Sequence, residues 1–270
     1  MLRFRSQYLF LRVLALLVLS VVFNSCKESG GAATLLFPIE EDVALGLRLK
    51  EEIASNPSAY PILDSAKYPE AYGHILRIRD SILNGGEVYH KDDFAWEVKI
   101  IHDDEVLNAF AAPGGFIYVY TGLIKYLDTE DELAGVLGHE IAHADKRHSV
   151  NQLIKNFGVQ LMLDIALGKN QGTLTQIAQG LTRLSFSRKD EAQADEYSVI
   201  YLCPTAYNAA GAAGFFKKIE ASGGSTVPEF LSTHPDPENR VVNIEAYKLE
   251  NLCTGSEKDG DYVNLINSLP

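Results

Sequence analysis

Residues 129–143, which read TEDELAGVLGHEIAH, combine the start of a helix with two histidines. Thr129 can cap the helix through its hydroxyl, and Glu132 can reach back to the cap, as in a capping box. Apolar residues follow at helical spacing. His139 and His143 lie four residues apart, so they project from the same face of the predicted helix.

Two histidines at this spacing are typical of a metal site. Both imidazoles can reach one zinc ion at about 2.0–2.1 Å, and Glu140 is placed to take a proton from water. We therefore expect His139 and His143 to bind one Zn²⁺ per chain, with Glu140 as the general base. On a continuous helix His148 would lie about 140° around the axis from His143. It is therefore expected to be a structural histidine that faces away.

A catalytic zinc site needs a third protein ligand. Residues 187–195, SRKDEAQAD, lie on a predicted downstream helix, on which Glu191 and Asp195 share a face. The spacing does not choose between the two carboxylates. The alternative for both is a solvated, charged helix face.

The order of elements along the chain predicts the α+β class with one core. Helical patterns at 38–54 and 68–83 precede three extended segments at 95–101, 106–112 and 116–120. From Thr129 the pattern is helical nearly to the end of the chain.

The motifs HEIAH at 139–143 and SRxxExxAD at 187–195 together resemble metallopeptidase family forty-eight. This resemblance implies a mainly helical, zincin-like (gluzincin) domain with a small sheet whose edge strand binds substrate. It implies that Glu191 is the third zinc ligand. It also implies that Asp195 holds His139 in its metal-binding orientation, as partners of ligating histidines commonly do.

Residues 108–115, NAFAAPGG, resemble the edge strand of the same family, to which a peptide adds as an extra strand. The substrate-binding residues implied are Asn108, Ala109, Phe110 and Ala111.

The late sequence THP at 233–235, followed by Arg240, resembles another motif of this family. The resemblance implies that His234 and Arg240 are catalytic residues that reach the cleft and stabilise the oxyanion. In some members this histidine also masks the zinc. Without the resemblance, residues 233–237 indicate only a turn.

The N-terminus has the pattern of a bacterial lipoprotein leader. A basic start precedes an apolar run at 13–23, which is short for a membrane span, and Ser25-Cys26 follows. We expect a signal peptide at 1–25 and lipidation of Cys26, although Phe23 stands where such leaders usually carry leucine. The alternative is an uncleaved anchor helix. The remaining chain divides into a tether at 26–37, a zinc metallopeptidase domain at 38–255 and a C-terminal tail at 256–270.

The cysteines and the net charge bear on the disulfide bonding and on the binding partners of the protein. Cys203 and Cys253 form an even pair in an exported chain, so we expect a disulfide, with two buried thiols as the alternative. The chain has 36 acidic and 24 basic residues and a net charge of −12. This excess argues against nucleic acid and against electrostatic docking on anionic lipid. Membrane attachment is therefore expected through the lipid.

These observations predict a zinc endopeptidase of the bacterial cell envelope that hydrolyses extended, misfolded or misassembled envelope proteins. It would be a periplasmic or surface-facing lipoprotein of the outer membrane, since Lys27-Glu28 lacks the aspartate of inner-membrane retention. The envelope assembly machinery is a further expected partner. The alternative is a chaperone-like binder of unfolded envelope proteins with a latched zinc site.

Overall fold

The computed structural model describes residues 36–221, 229–236, 239–256 and 262–270. The predicted leader, Cys26 and nearly all of the tether lie outside the described residues. Within the described ranges, no helix is both long and apolar enough to cross a membrane.

The described chain is mainly helical, with one small sheet. The helices are α1 (Ile39–Ala54), α2 (Pro69–Asn84), α3 (Thr121–Tyr126), α4 (Glu130–Asp145), α5 (His148–Phe157), α6 (Val159–Ala166), α7 (Gln171–Gly180), α8 (Arg188–Leu202), α9 (Gly211–Ala221), α10 (Glu229–Thr233), α11 (Arg240–Glu250) and α12 (Tyr262–Asn267). The strands are β1 (Glu97–Ile101), β2 (Ala109–Ala112) and β3 (Phe116–Tyr120). The predicted α+β class is confirmed.

The sheet has the order β1-β3-β2, with β1 parallel and β2 antiparallel to β3. Strand β1 begins later than predicted because Trp96 has a positive φ of 47°. Between β2 and β3, Gly114 adopts a φ of 72°, and a Cβ there would meet the Cα of Val43 at 2.8 Å. Helix α1 can therefore lie directly against this turn because residue 114 is glycine.

The two faces of the sheet bury different residues, as the two-residue period of a strand requires. Ile117 and Val119 face the larger core, which α2, α4, α8 and α9 complete. Phe116, Tyr118 and Tyr120 face a second core formed with α1, α5, α6 and α7.

Helix α4 lies at the centre of the larger core and packs against α8 and α9. A Cβ at Gly135 would lie 2.1 Å from the backbone nitrogen of Ala212, so glycine permits the close approach of α9. On the side of α8, the hydroxyl of Ser198 donates to the carbonyl of Gly135 at 3.1 Å. The helix with both predicted metal-binding histidines is therefore held from two sides.

A disulfide joins Cys203 to Cys253, which are 50 residues apart in sequence. It connects the chain at the end of α8 to the chain that follows α11. The segment at 256–270, which the sequence assigns to a tail, contains α12, whose Tyr262 and Leu265 are buried in the larger core. Part of that segment thus belongs to the folded domain.

Candidate active site

Three parts of the chain bring four potential metal-binding side chains together. His139 and His143 come from α4, Glu191 from the first turn of α8, and His234 from the residue after α10. Thr129 caps α4 by accepting from the amide of Glu132. All four side chains are buried, and one ligand atom from each lies within 4.8 Å of the others.

The distances within this group fit a tetrahedral metal site. Nε2 of His139 and Nε2 of His143 are 3.0 Å apart. Glu191 places one oxygen 3.4 Å from the former and the other 3.3 Å from the latter. Ligand bonds of about 2.0–2.1 Å at tetrahedral angles separate neighbouring ligand atoms by about 3.3 Å. Two imidazole nitrogens and a carboxylate oxygen are also a donor set that zinc accepts, so these residues could hold a metal ion.

Glu140 lies beside this group. Its side chain is buried, and neither carboxylate oxygen has a hydrogen-bond partner among the described residues. Oε1 lies 3.6 Å from Nε2 of His234. Burial raises the pKa of Glu140, although His234 and His139 partly offset the rise. A carboxylate with this environment is suited to accept and return a proton.

His139 contacts the metal-binding group and Asp195 with its two ring nitrogens. Nε2 faces His143, while Nδ1 lies 3.0 Å from Oδ1 of Asp195. Burial lowers the pKa of His139, but the contacts with Asp195 and Glu191 outweigh it and raise the pKa to about 9. Burial raises the pKa of Glu191, and His234, His139 and His143 more than reverse this, so the pKa lies well below its ordinary value.

Arg240, the first residue of α11, binds the two carboxylates of α8. Its guanidinium donates to both oxygens of Asp195 at 2.7 and 2.8 Å and to Glu191 at 2.8 Å. A further nitrogen lies 3.4 Å from the carbonyl oxygen of His234. Because the guanidinium binds side chains of the site, these contacts favour a positioning role over the oxyanion contact that the resemblance implies.

The expectation that His148 faces away from His143 is wrong. It assumed that α4 continues, whereas Arg147 adopts a left-handed conformation with φ of 60° and a new helix begins at His148. Nδ1 of His148 lies 3.0 Å from Nδ1 of His143. The position of Arg147 is fixed by a salt bridge with Asp42, 105 residues away, which no local pattern could reveal.

Phe186 is another neighbour of the site that the sequence did not reveal. Its ring stacks on His143 with centroids 4.0 Å apart. Burial lowers the pKa of His143 well below its ordinary value, and Glu191 offsets this effect only in part. His143 is therefore neutral at physiological pH. An aromatic residue just before the cap of α8 is a weak sequence signal, since such residues are common in any core.

Of the residues predicted to bind substrate, Ala109, Phe110 and Ala111 lie on strand β2 at the edge of the sheet and Asn108 directly precedes it, but all four are buried. Asn108 accepts from the amide of Tyr120 through its carbonyl and donates through its side chain to the carbonyl of Thr182. On the outer edge, the carbonyl of Ala111 accepts from the hydroxyl of Ser149 at 2.6 Å. In this structure, therefore, other parts of the chain cover the predicted peptide-binding edge.

Comparison with known proteins places this site in a family. The model of peptidase family M48 matches residues 76–248, a range that includes all four potential metal-binding side chains and Arg240. The mitochondrial metalloendopeptidase OMA1 of Arabidopsis thaliana is 32% identical over 152 residues, covering 56% of this chain and 31% of the relative.

Two proteins of Escherichia coli K12 are also similar. The beta-barrel assembly-enhancing protease is 30% identical over 179 residues, covering 59% of this chain and 36% of the relative. The metalloprotease YcaL is 25% identical over 187 residues, covering 67% of this chain and 70% of the relative. The chain thus spans about a third of the length of OMA1 and of the assembly-enhancing protease. The match over residues 76–248 confirms the resemblance seen in the motifs, and the chain belongs to peptidase family M48.

Proposed function

We propose that this protein is a zinc-dependent endopeptidase. One observation carries the proposal: Nε2 of His139 and Nε2 of His143 lie 3.0 Å apart, and each lies 3.3–3.4 Å from one oxygen of Glu191, beside the buried carboxylate of Glu140. A purely structural metal site would need no such carboxylate next to it.

The residues of the chain then have distinct roles in peptide hydrolysis. When bound, the zinc ion supplies a Lewis acid that activates water and polarises the peptide carbonyl. Glu140 takes the proton of the attacking water and returns it to the leaving amine. Asp195 orients His139, and Arg240 neutralises and positions Asp195 and Glu191. His234 can reach the oxyanion only after its ring leaves the metal-binding group.

The proposed substrate is an extended polypeptide that adds to strand β2. Asn108 pairs with β3, so alternation along the strand directs the backbone groups of Ala109 and Ala111 to the outer edge. Main-chain hydrogen bonds on that edge would hold the peptide. The contacts of Ala111 with Ser149 and of Asn108 with Thr182 must open first.

We further propose that the protein works in the bacterial cell envelope, where it is anchored by a lipid on Cys26. Its proposed substrates are misfolded or misassembled envelope proteins. The leader pattern supports export, and the disulfide between Cys203 and Cys253 suits an oxidising compartment. A relative named for beta-barrel assembly makes the outer membrane and its assembly machinery the proposed surroundings. Cys26→Ser should abolish the acyl mass in intact-mass analysis and release the protein from membranes. An acylated N-terminus elsewhere would contradict the anchor.

The second candidate is a chaperone-like binder with a latched site. The position of His234 favours it, because Nδ1 lies 3.3 Å from Nε2 of His139 and 3.1 Å from Glu191. This histidine thereby takes the side of the metal-binding group that a catalytic site leaves to water. In the binder the ring of His234 stays on the metal-binding group, whereas in the peptidase it moves away.

The test is metal analysis combined with casein cleavage. The purified protein should contain about one zinc per chain and cleave casein. Glu140→Gln should keep the zinc and the peptide binding but lose about 10²–10⁴ in rate, as expected for loss of a general base. Glu250→Gln, an exposed glutamate on α11, is the matched control and should cleave normally. Zinc with full activity in Glu140→Gln would refute the proposed base. Zinc and peptide binding without cleavage, with the His234 contact also removed, would favour the binder.

A further inference from the structure

The two metal-binding histidines of α4 are oriented by chemically different partners. Each directs Nε2 into the metal-binding group and Nδ1 away from it. Nδ1 of His139 faces the carboxylate of Asp195 at 3.0 Å, whereas Nδ1 of His143 faces Nδ1 of His148 at 3.0 Å. A carboxylate always accepts, but an imidazole nitrogen accepts only when it carries no proton. The orientation of His143 therefore depends on which nitrogen of His148 is protonated.

The surroundings of His148 determine that choice. Its Nε2 lies 3.0 Å from Oε1 of Gln193 and 4.0 Å from Oδ1 of Asp190. Both oxygens are acceptors, so they favour the proton on Nε2 and leave a lone pair on Nδ1. His143 can then donate from Nδ1 and keep Nε2 free for a metal. In the opposite tautomer, Nδ1 of His148 would carry the proton and donate it to Nδ1 of His143. The proton of a neutral His143 would then lie on Nε2, inside the metal-binding group.

We propose that His148 is a positioning residue, that Gln193 sets its tautomer, and that the pair keeps Nε2 of His143 free to bind the metal. The metal-binding part of this inference rests on the proposed function, while the tautomer of His143 does not. Glu140, Glu191 and Asp195 already place three carboxylates in the site, with Arg240 opposite two of them. A neutral imidazole orients His143 without adding a fourth carboxylate.

The fold explains how His148 reaches this position. Arg147 reverses the chain through its left-handed conformation, and its guanidinium binds both oxygens of Asp42 at 2.9 and 2.8 Å. Helix α5 consequently begins with His148 directed back at α4. Gln193 approaches from α8, the helix that also carries Glu191 and Asp195. One helix thus orients the Nδ1 atoms of both histidines, that of His139 through Asp195 and that of His143 through His148.

Two substitutions of His148 separate positioning from packing. His148→Phe keeps an aromatic ring but removes the acceptor, whereas His148→Asn places an amide oxygen close to the former Nδ1. Chelator competition should show about 10–100-fold weaker zinc binding for His148→Phe, the usual effect of losing such a partner. His148→Asn should restore most of the affinity. Gln193→Glu, which keeps an acceptor, should bind zinc more tightly than Gln193→Leu.

A second readout uses the metal-free protein. The ¹⁵N chemical shifts of histidine-labelled protein should place the His143 proton on Nδ1 in the wild type and in His148→Asn, and His148→Phe should lose this preference. Unchanged zinc affinity and an unchanged tautomer in His148→Phe would overturn the inference. Equal losses in both variants, in step with lower stability to urea, would also overturn it by indicating packing alone. A wild type that binds no zinc would refute the proposed metal site, and the tautomer would then decide this inference by itself.

Discussion

Nδ1 of His234 lies 3.1 Å from Oε1 of Glu191. The other nitrogen of the same ring lies 3.6 Å from Glu140, so one side chain contacts both the proposed zinc ligand and the proposed base. Phe230 stacks on this ring with centroids 4.1 Å apart and holds it in place. As long as the ring stays there, a peptide carbonyl cannot reach the metal-binding group from that side.

Replacing His234 by alanine should therefore open the site. We expect His234→Ala to retain zinc through His139, His143 and Glu191 and to cleave casein faster than the wild type. Ser232→Ala, an exposed change on the same short helix, is the control and should leave the rate unchanged. A fall of about 10²–10³ in kcat would instead support the oxyanion contact implied by the family resemblance.

Zinc binding should release protons. The pKa of His139 is raised to about 9 in the metal-free protein, so this histidine is protonated at pH 7.5 and must lose its proton to bind zinc. The affinity should consequently fall as the pH is lowered below about 9, approaching tenfold per pH unit for one proton. Calorimetry in buffers of different ionisation enthalpy measures this release. Binding without net proton release would contradict the raised pKa.

Removing the guanidinium of Arg240 should destabilise the fold. Asp195 and Glu191 would lose the guanidinium that binds both of them and keep only their histidine contacts. Loss of one partner of a buried ion pair costs about 3–5 kcal/mol. Arg240→Met should therefore unfold at lower urea concentration by a corresponding amount. Arg48→Met is the matched control, because Arg48 is exposed on α1 and should change the stability little. Equal effects of the two changes would argue against the buried contacts.

Reducing the disulfide should lower the stability without removing the metal site. The bond between Cys203 and Cys253 closes a long loop, which in the chain-entropy model is worth about 4 kcal/mol. Urea unfolding should shift on reduction of the wild type, and the variant with both cysteines changed to serine should be insensitive to the reductant. Peptide mapping under non-reducing conditions should recover the linked pair. Two alkylated cysteines in unreduced protein would contradict the bond.

The sequence predicted the parts of the site that depend on local patterns. The cap at Thr129 begins α4 as expected, and the spacing of His139 and His143 places both imidazoles on one face. The resemblance pointed to Glu191, whose side chain the structure brings to this face. Spacing alone did not distinguish it from Asp195, because both share a helix face.

The sequence could not predict features that distant contacts decide. The reversal at Arg147 depends on Asp42, and it turns His148 towards His143 rather than away from it. The covering of β2 depends on Ser149 and Thr182, which belong to other elements. A periodic pattern describes one element at a time, so it contains no information on how two elements meet.

Helix α8 places Glu191, Gln193 and Asp195 within five consecutive residues, all in contact with the two histidines of α4 or with their partner His148. Because these groups share one backbone, a displacement of the helix alters ligation and the orientation of both imidazoles at the same time. The far end of the same helix is covalently fastened at Cys203. Assembly of the site is therefore cooperative: its contacts form together or are lost together, and half-formed states of the centre should be sparsely populated.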